Sequence, residues 1–141
     1  MITVTLETLD KSFRSLTEVS KIVKKGKLAY RLGRLTADAK KEMELFGEHL
    51  KNTAIAYNAK EDAAGNWSFE KEQEDDLRAF RLAMEDFKKS HECELWGKPE
   101  FFTESEFEPF ELSAEHISDL LWLIGDSSED VGKTKAQAAS A

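Results

Sequence analysis

The sequence predicts a mainly helical α+β protein: an antiparallel helical hairpin with one long helix, a third helix, a small antiparallel sheet and a short C-terminal helix. Three observations carry this expectation. Apolar residues recur at helical spacing across 27–62, too long a run for anything but one extended helix. Two short segments, 2–7 and 91–96, alternate apolar with polar residues as half-buried strands do. The chain has 141 residues, 40% hydrophobic and 34% charged, enough for one domain with its own core and too few for two. That domain is expected over 1–125. Residues 126–141, rich in Ser, Asp, Gly, Lys and Ala, are expected to be a disordered tail.

At the start, Ile2, Val4 and Leu6 alternate with Thr3, Thr5 and Glu7 and read as a strand. Asp10 or Ser12 can cap the helix that follows, with Phe13, Leu16, Val19, Ile22 and Val23 along one side. Lys24-Lys25-Gly26-Lys27 ends it, with cations at the C-terminal dipole and glycine in the left-handed cap. The long helix carries Leu28, Leu32, Leu35, Ala39, Met43, Phe46, Leu50, Thr53/Ala54 and Tyr57. At 1.5 Å per residue it would span about 54 Å, and such a rod needs a partner helix from its own or another chain. Gly33 and Gly47 inside it are either tolerated surface glycines or sites of close helix approach.

Ala63-Ala64-Gly65-Asn66 reads as a turn, followed by a short extended piece with Trp67 and Phe69. A third helix is expected from about Glu70, with Leu77, Phe80, Met84 and Phe87 on one face. Acids crowd its start and Lys88-Lys89 close it. The strand at 91–96 is expected to pair with the N-terminal strand, and part of 101–112 could extend that sheet, although Pro109 argues against a central strand. Ser113 is a good N-cap for a last helix whose Ile117, Leu120, Leu121 and Ile124 face one way.

The formal net charge is −8, but it is unevenly distributed. Between 11 and 41 there are ten Lys/Arg and two acids; between 99 and 132 there are ten acids and no Lys or Arg. Either the two regions face each other and partly neutralise, or one of them is a docking surface. The basic side centres on Lys21, Lys24, Lys25, Lys27, Arg31 and Arg34, the acidic side on Glu100, Glu104, Glu106, Glu108 and Glu111. The overall charge argues against nucleic acid as the partner, although the basic group, surrounding one helix–helix turn, is where such contact would occur.

No apolar run reaches the length of a membrane span, and the N-terminal residues lack the basic-then-apolar order of a secretory signal. The expected location is therefore a reducing cytoplasm. The sequon Asn66-Trp67-Ser68 is read as chance.

The sequence offers little chemistry. Phosphate loops, nucleophile elbows and zinc-protease motifs do not occur. Cys93 is the single cysteine, expected to be a buried core thiol. His91 and Cys93 share a strand face, but no second ligand pair follows, so neither metal nor cofactor is expected. His49 is expected to flank the helix stripe. No catalytic residue stands out, and the reading is of a non-enzyme.

The order of elements carries a resemblance. A short strand and a striped helix precede Lys27-Leu28-Ala29-Tyr30-Arg31-Leu32-Gly33-Arg34-Leu35, which opens the long charged helix. A Gly-Asn-Trp turn, an acidic helix, a Glu-Cys-Glu-Leu strand and Phe110-Glu111-Leu112-Ser113-Ala114-Glu115 lead to the final helix. Over roughly 3–124 this resembles a family of small, functionally uncharacterised phage-type proteins found in phages and prophages. The resemblance implies a phage setting and brings no catalytic residues with it. The expected function is protein–protein interaction through the stripe Leu28, Leu32, Leu35, Met43, Phe46, Leu50 and Tyr57, as a homo-oligomer in virion assembly or structure. The alternative is a phage-encoded inhibitor of a host protein, an anti-defence factor or nucleic-acid mimic, using the acidic third.

Overall fold

A computed structural model describes residues 1–125, and the expected tail at 126–141 lies outside them. Strand β1 (Ile2–Thr5) runs straight into α1 (Leu6–Ile22) without a loop. The cap is Thr5, whose hydroxyl accepts from the Thr8 N–H at 3.2 Å, and not Asp10 or Ser12. The helix starts earlier than expected because Leu6 ends the strand alternation and also opens the helical stripe. Leu6, Leu9, Ser12, Leu16, Val19 and Val23 are buried, whereas Phe13 is only half-buried and Ile22 is exposed.

Val23 donates back to the Val19 carbonyl, and Gly26 turns the chain with φ +83°, which favours glycine. The chain then enters α2 (Gly26–Ala56). Ser20 on α1 meets Thr36 on α2, and Leu6 at the start of α1 shares a pocket with Glu42 and Phe46, so the two helices are antiparallel.

The long helix ends at Ala56, short of the expected Asp62. Asn58 takes the left-handed conformation, φ +71°. Ala59 N–H then donates to the Ala54 carbonyl at 2.9 Å and Asn58 N–H to the Ile55 carbonyl at 3.0 Å. This is a Schellman cap with asparagine in glycine's place. The expected turn does form: Asp62 Oδ1 accepts from the N–H groups of Ala64 and Asn66, both at 2.9 Å. It joins a two-residue hairpin, β2 (Lys60–Glu61) and β3 (Trp67–Ser68).

Helix α3 (Glu74–Ser90) begins later than Glu70. Gln73 satisfies the preceding turn, accepting from Glu70 N–H at 2.8 Å and donating to the Asn58 carbonyl at 2.6 Å, which ties the end of α2 to the start of α3. The contacts Tyr57–Phe80 and His49–Phe87 show α3 returning antiparallel along the second half of α2.

Strand β4 (Glu92–Leu95) pairs antiparallel with β1 in the register Ile2–Leu95 and Val4–Cys93, as the sequence predicts. Cys93 and Leu95 face the core and are fully buried. The segment after it does not extend the sheet. Pro99 opens a 3-10 turn (Pro99–Phe102), and a single-turn helix, α4 (Glu104–Phe107), follows. Proline fits the first position of a helical turn, and its missing N–H rules out a sheet position.

Ser113 caps α5 (Ala114–Asp119) by accepting from His116 N–H, while His116 Nδ1 accepts from Ser113 N–H. Helix α5 stops at Asp119, so the helical phase is lost beyond it: Leu120, Leu123 and Ile124 are buried, but Ile117 and Leu121 are exposed. Three polar links staple this region to α1: Trp122 Nε1 donates to Ser12 Oγ at 3.0 Å, Ser15 Oγ donates to Asp119 at 2.6 Å, and His116 Nε2 meets Glu18 at 2.9 Å.

Candidate functional site

The residues singled out from the sequence fall in three places. The first is the stripe of α2. Leu28, Leu32, Leu35 and Ala39 are buried against α1 and the core, but Met43, Phe46 and Tyr57 are only half-buried. The 17 residues of α1 reach about 25 Å along a helix of 31 residues and about 46 Å, and α3 covers Phe46 and Tyr57 on the remaining half only in part. Leu45 (64%), Leu50 (38%) and Ile55 (41%) are exposed on the far half. A pocket of about 450 Å³ lies between that half and the β2–β3 hairpin, lined by Leu50, Ala54, Trp67, Phe69 and Phe80. A Cβ on Gly33 or Gly47 would meet nothing within 4 Å, so both are surface glycines.

The second is the basic group. Lys21, Lys24, Lys25 and Lys27 are exposed around the α1–α2 turn. The two arginines are engaged: the Arg31 guanidinium lies 4.1 Å from the Phe101 ring centroid and Arg34 lies 4.6 Å from Trp96. A stacked guanidinium is held in place against its ring.

The third is the acidic segment. Glu100, Glu104, Glu106, Glu108 and Glu111 are all exposed, and among the described residues none forms an ion pair. The basic and acidic stretches meet at one stack, Arg31 on Phe101, and among the described residues not through Lys/Arg–carboxylate pairs.

A fourth place was not singled out from the sequence. Glu42 of α2, His91 at the end of α3 and Cys93 of β4 converge, with one ligand atom from each within 4.8 Å of the others. His91 Nε2 is 3.5 Å from Glu42 Oε1. Burial, followed by the hydrogen bond to Glu42 and its charge, pushes the Cys93 thiol up to about 12, so this is no activated nucleophile. Beside the cluster is a pocket of about 640 Å³ lined by residues including Leu6, Phe46, His49, Phe87, Glu92 and Glu94. One wall is a ring stack: His49 lies 4.1 Å from Phe87, and Phe87 lies 5.1 Å from His91. His49 thus flanks the stripe and is exposed.

Compared with protein-family models, curated proteins and solved structures, the chain matches none.

What the chain does must therefore be read from its own surfaces. Sequence reasoning found the alternation that pairs His91 with Cys93 but missed Glu42. No local motif marks Glu42, because it reaches the cluster only through the packing of α2 on β4. Among the described residues, no helix is long and apolar enough to cross a membrane.

Proposed function

We propose that this chain is a non-enzymatic interaction protein of a phage or prophage, acting as a homo-oligomer through the far half of its long helix in virion assembly or structure. The observation that carries this reading is the apolar surface left on the second half of α2. Helix α3 covers that half only in part, and Leu45, Leu50 and Ile55 remain exposed there. An exposed apolar surface beside half-buried aromatic rings is the usual preparation for a second protein. The phage setting is supported by the order of elements alone.

Sedimentation of the purified chain at tens of micromolar tests it. A dimer or larger species is expected, shifted to monomer by Leu45→Glu or Leu50→Glu without loss of helical signal. A wild-type monomer at that concentration would remove the reading.

A second reading is favoured by the unpaired carboxylates of the acidic segment: a phage-encoded inhibitor that offers a host protein an imitation of nucleic acid. Capture of host proteins by the wild type and by a Glu104→Gln, Glu106→Gln, Glu108→Gln variant separates the two. A partner retained equally by both does not bind through these acids.

A further inference from the structure

The cluster of Glu42, His91 and Cys93 is built from α2, the residue that ends α3, and β4. We propose that it is a binding site for a divalent transition metal of the zinc class, which would tie α2 to β4. None of the three ligands belongs to the stripe of α2, and the site does not depend on the assembly reading, although Leu45 and Phe46 line the pocket beside it.

The donor set points to the metal. A thiolate, an imidazole and a carboxylate together select zinc or its neighbours over magnesium and calcium, which take oxygen ligands. Ligand atoms around a tetrahedral zinc lie about 3.3–3.6 Å apart, as its bond lengths require. The His91–Glu42 separation of 3.5 Å already meets this, and the limit of 4.8 Å on the other pairs asks only for side-chain rotation. Two negative ligands and a neutral imidazole would balance a divalent ion, so the filled site carries no net charge into a half-buried place. On binding, the metal–sulfur bond replaces the S–H bond of Cys93 and the proton leaves to solvent.

The surroundings support the same conclusion. Cys93 is fully buried and fixed opposite Val4 in the sheet, and the His91 ring is held against Phe87. The His91 carbonyl accepts from Leu6 N–H at 2.9 Å, which fixes the backbone that presents the ring. Glu92 and Glu94 line the adjoining pocket and favour the approach of a cation. Three protein ligands leave a fourth position, which this pocket can fill with water.

Cobalt(II) is the probe. The full chain, stripped with chelator, is titrated with cobalt chloride and followed by absorption. One ion per chain is expected, with a thiolate-to-cobalt charge-transfer band in the near ultraviolet, abolished by added zinc and untouched by magnesium or calcium. Zinc alone should raise the melting temperature by several degrees. His91→Gln and Glu42→Gln replace partly exposed side chains, so the metal-free fold should be little changed while affinity falls by about 100-fold or more. Cys93→Ser should remove the charge-transfer band; if that buried change unfolds the chain, the other two variants decide. Cobalt binding without a thiolate band, binding unaltered in both variants, or no binding at all would overturn the site and leave a hydrogen-bonded triad in its place.

Discussion

Glu18 illustrates how much a single half-buried carboxylate can be asked to hold. It meets His116 Nε2 at 2.9 Å and Arg14 Nε at 3.2 Å, so it links the C-terminal staple to α1. The hydrogen bond with His116, then that with Arg14, holds its carboxyl below the usual carboxylate value of 4.5. A depressed carboxyl contributes stability that is fully present above the unfolded value and is lost as pH falls through the folded one. Glu18→Gln should therefore lower the melting temperature near pH 7, with the gap closing as pH falls below the usual carboxylate value of 4.5. Melting curves of both proteins from neutral pH into acid check it; a gap that persists once the carboxyl is protonated would mean that packing, not ionisation, is what Glu18 supplies. None of this was legible from sequence, because His116 stands far down the chain and reaches Glu18 only when α5 docks.

At the scale of elements, the sequence was informative where a pattern had one physical cause. The β1–β4 pairing followed from alternation, and the course of α2 followed from its stripe. Boundaries failed where side chains competed with the pattern. Asn58 stopped α2 by taking a left-handed conformation that glycine more often occupies, and Gln73 delayed α3 by bonding the turn before it. Thr5 capped α1 because the strand and helix share Leu6.

The same helix yields two stability predictions. Gly33 and Gly47 have φ in the helical region and open space where a Cβ would go, so Gly33→Ala should stabilise the chain by about 0.5–1 kcal/mol. Gly47→Ala should do the same unless a second copy packs there, so a loss at Gly47 with a gain at Gly33 would locate the oligomer contact. Leu35 is fully buried, and Leu35→Ala should cost about 3 kcal/mol. Urea denaturation measures all three. A Leu35→Ala cost below about 1 kcal/mol would mean that the core end of α2 is far looser than its burial implies.

Across the whole molecule, the charge layout decides between a nucleic-acid partner and a protein one. The net charge is −8, and the cations around the α1–α2 turn run against it. Two of the six cations are already stacked, Arg31 over Phe101 on the segment that carries the acids and Arg34 over Trp96 just after β4. The Arg31 stack brings Glu100, next to Phe101 in the chain, toward the basic face, where its charge repels phosphate. The four exposed lysines could support a log–log salt slope of only about −3 to −4 on duplex DNA. Short single- and double-stranded oligonucleotides should therefore show no binding to the chain at about 50 µM in low salt, where non-specific binders typically saturate. Fluorescence anisotropy is the measurement. Salt-sensitive binding that disappears on changing Lys24, Lys25 and Lys27 to Glu would make the α1–α2 turn a nucleic-acid surface after all. The acidic segment would then act as a brake on that surface, and Glu100→Gln should tighten the binding.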